Sequence, residues 1–298
     1  MSHVASEIAS QPETWRRAAD LVAQPGVARA LPQRGERVAV VGCGTSYFMA
    51  QSFATLRESA GQGETDAFAA SEFPAGRRYD RVVAITRSGT TTEVIRLLEQ
   101  LPRGSRSTVV TTDADRPVTR LVSDCVVLDF ADEQSVVQTR FATTALAAWR
   151  AGLGEDLTEP IAQARAQLNT PVDPDVVGRN QFTFLGTGWT VGLAHEAALK
   201  LREAAQMWAE SYPAMEFRHG PISVVDHRSV VWIFGPVVPG LRDDLAATGA
   251  IVVHEDIDAM AHLTTAQRLA VELANRRGLH PDQPRLLTRS VVLTAPVA

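Results

Sequence analysis

Residues 37–46 read RVAVVGCGTS, a short apolar run that ends in a loop of glycine and hydroxyl residues. The next residues recur at helical spacing, with apolar side chains at Phe48, Ala50, Phe53, Ala54 and Leu56. An apolar strand, a tight glycine loop and an amphipathic helix in this order predict one βα unit.

The same order recurs along the first half of the chain. RVVAI at 81–85 runs into TRSGTT at 86–91 and a helix-like stretch at 93–101, while STVVTT at 107–112 precedes another short helix. A further apolar run, CVVL, occupies 125–128. Short apolar strands that alternate with helices predict an α/β fold, with a parallel sheet covered by helices on both faces.

The second half begins as the first does. QFTFLGTGWT at 181–190 places Gly186 and Gly188 at an offset of 144 from Gly42 and Gly44. The same offset carries Glu72-Phe73 onto Glu216-Phe217. Two pairs of matching residues at the same offset predict that the chain contains two α/β lobes related by internal duplication. The last helix of the second lobe is predicted over 265–277.

The predicted domain organisation follows from these landmarks. A helical arm is expected over 1–34, the first domain over 35–150, a linker over 151–178, and the second domain with a C-terminal tail over 179–298. The linker is expected because its segment is rich in glycine, proline, aspartate and glutamine.

Composition excludes several classes of protein. With 29 basic and 34 acidic side chains the net charge is −5, which argues against a nucleic-acid partner. The two cysteines form no CxxC motif, and no apolar run approaches 18 residues. We therefore expect a soluble cytoplasmic protein with no membrane partner. The seven histidines show no metal-binding spacing, so no metal and no cofactor are expected.

Two loops could bind an anion. Residues 42–46 and 86–91 each follow a predicted strand, open a helix, and carry hydroxyl side chains. Free amides at a helix N-terminus attract anions, and two such loops at strand ends would converge on one crevice. The alternative is that glycine, serine and threonine only make turns and helix caps. A dinucleotide site is disfavoured because the third glycine of GxGxxG is missing, and Walker and HExxH motifs are absent.

Residues 194–221, AHEAALKLREAAQMWAESYPAMEFRHGP, carry a charged stripe. Glu196, Lys200 and Glu203 lie at i, i+4 and i+7, beside an apolar face predicted to comprise Ala197, Leu201, Ala204, Ala205 and Trp208. The alternative is a solvated face with two ion pairs of about 0.2–0.5 kcal/mol each. His219 stands directly before a Gly-Pro turn, which can direct an imidazole into a cleft and favours acid–base chemistry.

These motifs together resemble those of double sugar-isomerase (SIS) domain proteins. The resemblance covers about residues 35–298 and is strongest to the isomerase half of glucosamine-6-phosphate synthase and to amino-sugar-phosphate deaminases and deglycases. It depends on six stretches in order: Gly42–Ser46, Ser88–Thr91, Glu133–Val136, Glu196–Glu203, His219–Pro221 and Asp282–Arg285.

The resemblance implies two flavodoxin-like lobes, a homodimer with shared active sites, and a sugar 6-phosphate as ligand. It implies that phosphate is held by Thr45, Ser46, Thr86, Ser88 and Thr91. Glu203 would be the base that moves a proton between C1 and C2, with Lys200 beside it, and His219 of the other subunit would open the sugar ring. The substrate would be lined by Gly44, Arg87, Val136, Gln138 and Arg289.

Departures from the pattern leave the reaction open. Arg289 occupies the place of a lysine that forms an imine in synthase-like members, and a guanidinium cannot do so. Arg87 and Gln138 replace smaller or neutral residues, although Gln138 and Arg140 could also simply cap their loop. No glutaminase segment precedes the first lobe, so transfer of amide-derived ammonia is not expected.

Three functions are therefore considered. An isomerase or deaminase would act on an amino-sugar 6-phosphate, a dehydratase would eliminate water from N-acetylglucosamine 6-phosphate, and a sensor would bind the sugar without reaction.

Overall fold

The structure is a computed structural model that describes residues 2–102 and 104–293. In chain order the β-strands are β1 Val38–Gly42, β2 Thr65–Ala69, β3 Arg81–Ile85, β4 Arg106–Thr111, β5 Asp124–Val127, β6 Gln181–Gly186, β7 Ala209–Pro213, β8 Ser229–Phe234 and β9 Ile251–Val253. The α-helices are α1 His3–Ala9, α2 Gln11–Val22, α3 Pro25–Ala30, α4 Thr45–Ser59, α5 Thr92–Gln100, α6 Arg140–Gly152, α7 Thr158–Asn169, α8 Pro174–Val177, α9 Thr190–Ala205, α10 Leu241–Ala246 and α11 Ala259–Arg276.

The chain divides into two compact units. The first, called the five-stranded unit, comprises Glu13–Glu133, Arg140–Leu157 and Leu287–Ala298. The second, called the four-stranded unit, comprises Met1–Pro12, Gln134–Thr139 and Thr158–Leu286. The predicted linker carries α7 and α8, and the predicted domain boundaries stay a prediction. Residues 1, 103 and 294–298 of the predicted domains lie outside the described part of the chain.

The five-stranded unit has a fully parallel sheet in the order β2-β1-β3-β4-β5. This is the flavodoxin-like order, in which the chain reverses its direction across the sheet between β1 and β3. Every residue of β1 and β3 is buried. Their sequences are continuously apolar, apart from Arg81 at the start of β3, because helices cover both faces of these central strands.

The four-stranded unit repeats this topology in the order β7-β6-β8-β9, again parallel. Its strand β7 lies 144 positions after β2, and a 3₁₀-helix follows both edge strands, at Ala70–Glu72 and Glu216–His219. The predicted α/β fold of two parallel sheets related by duplication is therefore confirmed. Among the described residues, no helix is long and apolar enough to cross a membrane.

Several local predictions were wrong or incomplete. The edge strands β2 and β7 were missed because their half-buried residues form no continuous apolar run. Helix α11 begins at Ala259, six residues before its predicted start, because Asp258 caps it by accepting a hydrogen bond from the Met260 amide. Trp208 is not on the buried face of α9, since the left-handed Gln206 ends the helix and the Trp208 side chain is 83% exposed.

A close contact between backbones places the loop that follows β1. A Cβ atom added at Gly42 would lie 2.6 Å from the Ser46 carbonyl carbon in the first turn of α4. Gly186 shows the same constraint, with 2.4 Å to the Thr190 carbonyl oxygen at the start of α9. The first glycine of each loop thus allows a helix to begin directly against the end of its strand.

Replacing Gly42 by alanine is expected to lower the free energy of unfolding by about 1–3 kcal/mol, the usual cost of overpacking. The control is Gly26→Ala, since a Cβ at Gly26 in α3 would contact nothing within 4 Å. Urea denaturation of both variants measures the difference. Equal stability of the Gly42 variant and wild type would contradict the close approach.

Candidate active site

The two predicted anion-binding loops lie side by side in the five-stranded unit. Residues 42–46 follow β1, and residues 86–91 follow β3, which is the parallel neighbour of β1. Both loops therefore occupy the carboxyl edge of the sheet at its topological switch point, where ligands of such folds bind.

The first loop is compact and mostly buried. Gly44 adopts a positive φ of 53°, after which Thr45 and Ser46, both nearly inaccessible, open α4. Burial, with a smaller contribution from the charge of Glu93, raises the pKa of the Cys43 thiol to about 11. Cys43 is therefore an uncharged thiol near neutral pH, and it does not compete with an anion for this loop.

The second loop is organised by its own hydroxyl groups. The Thr86 hydroxyl accepts a hydrogen bond from the Gly89 amide at 3.3 Å, and the Ser88 hydroxyl accepts one from the Thr90 amide at 3.3 Å. Ser88 and Thr91 approach each other at 3.5 Å. Ser88 is only 8% exposed, so its hydroxyl is largely shielded from solvent.

A residue that sequence reasoning missed completes this loop. The hydroxyl of Ser290, in the C-terminal tail, accepts hydrogen bonds from Ser88 at 3.1 Å and Thr90 at 3.0 Å, and lies 3.4 Å from Thr91. The only feature of the sequence that could have marked Ser290 as a site residue is its position directly after Arg289. About 200 residues separate it from the loop, so local patterns could not pair them.

Arginines adjoin the second loop and form a compact charged cluster with two acids. The guanidinium of Arg87 pairs with the buried Glu133 carboxylate at 3.3 Å, and Arg289 pairs with the Asp132 carboxylate. Arg140 donates its backbone amide to Glu133 at 2.7 Å and its guanidinium to the Asp132 carbonyl. Two of the three guanidinium groups pair with carboxylates and the third contacts a backbone carbonyl, so the three arginines and two acids sum to an excess positive charge that favours an anion.

The charged stripe lies on α9, in the four-stranded unit. The Lys200 ammonium lies 2.5 Å from a Glu203 oxygen and 3.5 Å from a Glu196 oxygen. The Glu196 and Lys200 side chains are buried, whereas that of Glu203 keeps 18% of its surface accessible. The alternative of a solvated face is therefore wrong, and Glu203 is the member of the stripe that a ligand can reach.

Lys200 carries a further signal that sequence reasoning did not use. It is the only lysine among the 29 basic residues of the chain. Arginine cannot replace a compact ammonium between two carboxylates, because its guanidinium is larger and planar. The use of the single lysine at this buried position therefore indicates that a compact cation is needed between Glu196 and Glu203.

The remaining candidates also lie in the four-stranded unit. His219 ends the 3₁₀-helix Glu216–His219, is exposed, and precedes Gly220, whose φ is 144°. Val136 lines a cavity of about 770 Å³ together with Gln134 and Asp282, and its amide donates to the Asp282 carbonyl at 3.1 Å. Gln138 is half-buried two residues further on.

The predicted residues thus fall into two groups, one in each unit. The five-stranded unit holds the anion-loop residues with Gly44, Arg87 and Arg289, while the four-stranded unit holds Glu203, Lys200, His219, Val136 and Gln138. In the described part of the chain, no cluster of three or more histidine, cysteine or acidic side chains could hold a metal ion. The functional roles of these residues stay predictions.

Comparison with known proteins adds a finding about family. Residues 32–149 match the model of the SIS domain. The chain is 27% identical to a glutamine–fructose-6-phosphate aminotransferase (isomerizing) of Caulobacter vibrioides, over 87% of this chain and 52% of that protein. A corresponding enzyme of Thermus thermophilus is 26% identical, over 88% and 53%. The chain spans about half the length of the curated relatives it matches.

Solved structures match over the whole chain. A glucosamine-6-phosphate deaminase from Thermotoga maritima has a TM-score of 0.78 and 25% identity, with coverage of 98% of this chain and 100% of that one. A tagatose-6-phosphate ketose/aldose isomerase from Escherichia coli has a TM-score of 0.80, with coverage of 100% and 97%. At 19% identity, the second match shows the fold alone.

Replacing Lys200 by methionine is expected to destabilise the four-stranded unit by about 3–5 kcal/mol, because Glu196 loses the ammonium that compensates its buried charge. The matched variant combines Glu196→Leu with Lys200→Met and removes both charges. It is expected to regain most of the loss. Urea denaturation at pH 7 measures both, and wild-type stability of Lys200→Met would contradict the compensating role.

Proposed function

We propose that this chain acts on an amino-sugar 6-phosphate. The premise is that it carries an SIS domain and is homologous to the isomerase domain of glutamine–fructose-6-phosphate aminotransferases and to phosphosugar isomerases and deaminases. The reaction is proton transfer between C1 and C2, with isomerisation or loss of the amine. The observation that carries the proposal is Glu203, an accessible carboxylate held 2.5 Å from a buried lysine.

Each group has a chemical task in this proposal. The hydroxyl loops at 42–46 and 86–91 bind the phosphate, and the excess charge of the arginine cluster favours its dianion. His219 moves a proton between the ring oxygen and the C1 hydroxyl as the hemiacetal opens, since imidazole both gives and takes protons near neutral pH. Glu203 then takes the proton from C2 and returns it to C1.

Lys200 has a positioning task. Its ammonium contacts the Glu203 carboxylate and balances the buried Glu196, so the proposed base is held in one place. An imine with the enzyme is not part of the proposal. Arg289 cannot form one, and Lys200 is held between two carboxylates.

For a 2-amino sugar the proton transfer itself leads to deamination. Loss of the C2 proton and protonation at C1 convert the open-chain aldose into a C2 imine, which one water hydrolyses to a ketose and ammonia. The substrate therefore supplies the nitrogen of the imine, and no protein amine is needed. This favours deaminase chemistry over chemistry that depends on a lysine imine.

Dehydration is the second candidate, and the same observation favours it. If the C2 amine is acetylated, it cannot become an imine, and removal of the C2 proton by Glu203 can instead expel the C3 hydroxyl as water. The identity of residue 289 as arginine is compatible with this elimination, because it also needs no protein amine.

A panel of hexosamine 6-phosphates and their N-acetyl derivatives tests the proposal, with products followed by mass spectrometry. Ammonia release indicates a deaminase, an isomer of equal mass indicates an isomerase, and a product lighter by one water indicates a dehydratase. The expected result is turnover of a free-amine sugar. Tight binding without turnover of any member would mean a sensor and would refute the enzymatic proposal.

We further propose that the protein works in the cytoplasm as a homodimer with two shared sites, each with His219 from the other subunit. Exposed apolar side chains flank His219 in the sequence, at Trp208, Met215 and Val224, with 83%, 50% and 51% of their surfaces accessible. Burial of such side chains against a second copy would stabilise a dimer. In a two-fold dimer, one His219 that crosses the interface implies a second.

Subunit mixing tests the shared sites. Glu203→Gln and His219→Ala are each expected to lower turnover by about 10²-fold or more, the effect of a lost acid or base. When the two inactive proteins exchange subunits, about half of the dimers are mixed and about one site in four has both groups. Recovery of about a quarter of wild-type activity is expected. A mixture that demonstrably exchanges and stays inactive would place both groups in one chain.

A further inference from the structure

The C-terminal tail occupies the loop that the proposed function assigns to phosphate. Within the five-stranded unit, the Ser290 hydroxyl meets three hydroxyls, those of Ser88, Thr90 and Thr91, at 3.0–3.4 Å. Several hydroxyl groups that converge on one oxygen are the arrangement that holds a phosphate oxygen. Ser290 therefore stands where an oxygen of the anion would be bound.

The tail also takes the backbone donor at the start of the helix. The Thr92 amide, the first of α5, donates to the Val291 carbonyl at 3.1 Å, and the Leu293 amide donates to the Thr92 hydroxyl at 2.8 Å. Free amides in the first turn of a helix are the groups that bind anions. Both kinds of donor expected to bind phosphate, hydroxyl and amide, are thus engaged by tail residues.

A second contact holds the tail beside the loop. The Arg289 guanidinium pairs with the Asp132 carboxylate and donates to the Glu133 carbonyl, while the Arg289 carbonyl accepts a hydrogen bond from Arg87 at 3.4 Å. Just before the tail, Leu286 has a φ of 65°, a conformation that residues other than glycine rarely adopt, and it is 92% exposed. The chain thus has an anchored tail and, directly before it, an unpacked bend.

We propose that residues 290–293 compete with phosphate for the loop at 86–91. Sugar phosphate displaces these residues from the loop when it binds. The inference rests on the proposed phosphate site. The tail contacts on the loop are hydrogen bonds between neutral groups, whereas hydrogen bonds to an ionised phosphate are roughly twice as strong. Phosphate therefore outcompetes the tail, but its apparent affinity is reduced by the fraction of molecules in which the tail is bound.

Removal of the Ser290 hydroxyl tests the competition. Phosphorus NMR titration of inorganic phosphate into the full-length Ser290→Ala protein is expected to show a Kd about 3- to 30-fold lower than that of wild type, because one to two neutral hydrogen bonds of the competitor are lost. Ser71→Ala, an exposed serine in the same unit, is the matched control with an expected unchanged Kd. Ser290→Asp places a tethered carboxylate on the loop and is expected to raise the Kd about tenfold or more.

The outcomes separate this proposal from the proposed function. Ser88→Ala together with Thr91→Ala is expected to weaken phosphate binding whether or not the tail competes. If that double variant binds more weakly but Ser290→Ala binds phosphate equally or less well than wild type, only the tail proposal is overturned. If phosphate binds to none of the proteins, the phosphate site fails and the tail proposal fails with it.

Limited trypsin digestion gives a readout that does not depend on any variant. Cleavage after Arg289 requires residues 290–293, which follow the scissile bond, to leave the loop and enter the protease, so its rate follows the population in which they are released. Inorganic phosphate is expected to increase the rate of this cleavage about threefold or more, whereas a ligand that the tail helped to bind would protect the bond. Slower cleavage in phosphate would overturn the proposal.

Discussion

The absence of a side chain at two glycines determines how closely a helix can approach the end of a central strand in each unit. Gly42 and Gly186 each end a central parallel strand, and neither has room for a Cβ because the first turn of the next helix lies against it. The close approach seats α4 on β1 and α9 on β6. The placement of these two helices sets the position of the hydroxyl loop in one unit and the direction of the charged stripe in the other.

Buried charge is the second constraint, and both units resolve it by pairing. Lys200 compensates Glu196 and Glu203 on α9, while Arg87 compensates Glu133 beside the hydroxyl loop. Such pairs contribute little net stability, because the cost of desolvation offsets most of the attraction. Their value lies in orientation. A carboxylate held by a fixed cation keeps its position, which the proposed proton transfer from carbon requires.

The tail supplies hydrogen-bond partners to the hydroxyl loop proposed to bind phosphate. Hydroxyls and amides that face no partner would lose their hydrogen bonds with water on burial, so the fold supplies them with Ser290 and the Val291 carbonyl. Neutral partners satisfy these groups without binding them as tightly as a phosphate would. In the proposed phosphate site, the positive charge of the neighbouring arginine cluster would favour an anion.

The sequence by itself determined the central strands, the glycine loops, the duplication at an offset of 144, and the spacing of Glu196, Lys200 and Glu203, since each depends on periodicity within one segment. Only the tertiary structure decided the edge strands β2 and β7, the burial of Lys200, the partners of Arg87 and Arg289, and the place of Ser290. These depend on which side chains meet across the folded chain. Hydrogen bonds such as that between Ser88 and Ser290 join residues about 200 positions apart, and no local pattern of residues encodes such a pairing.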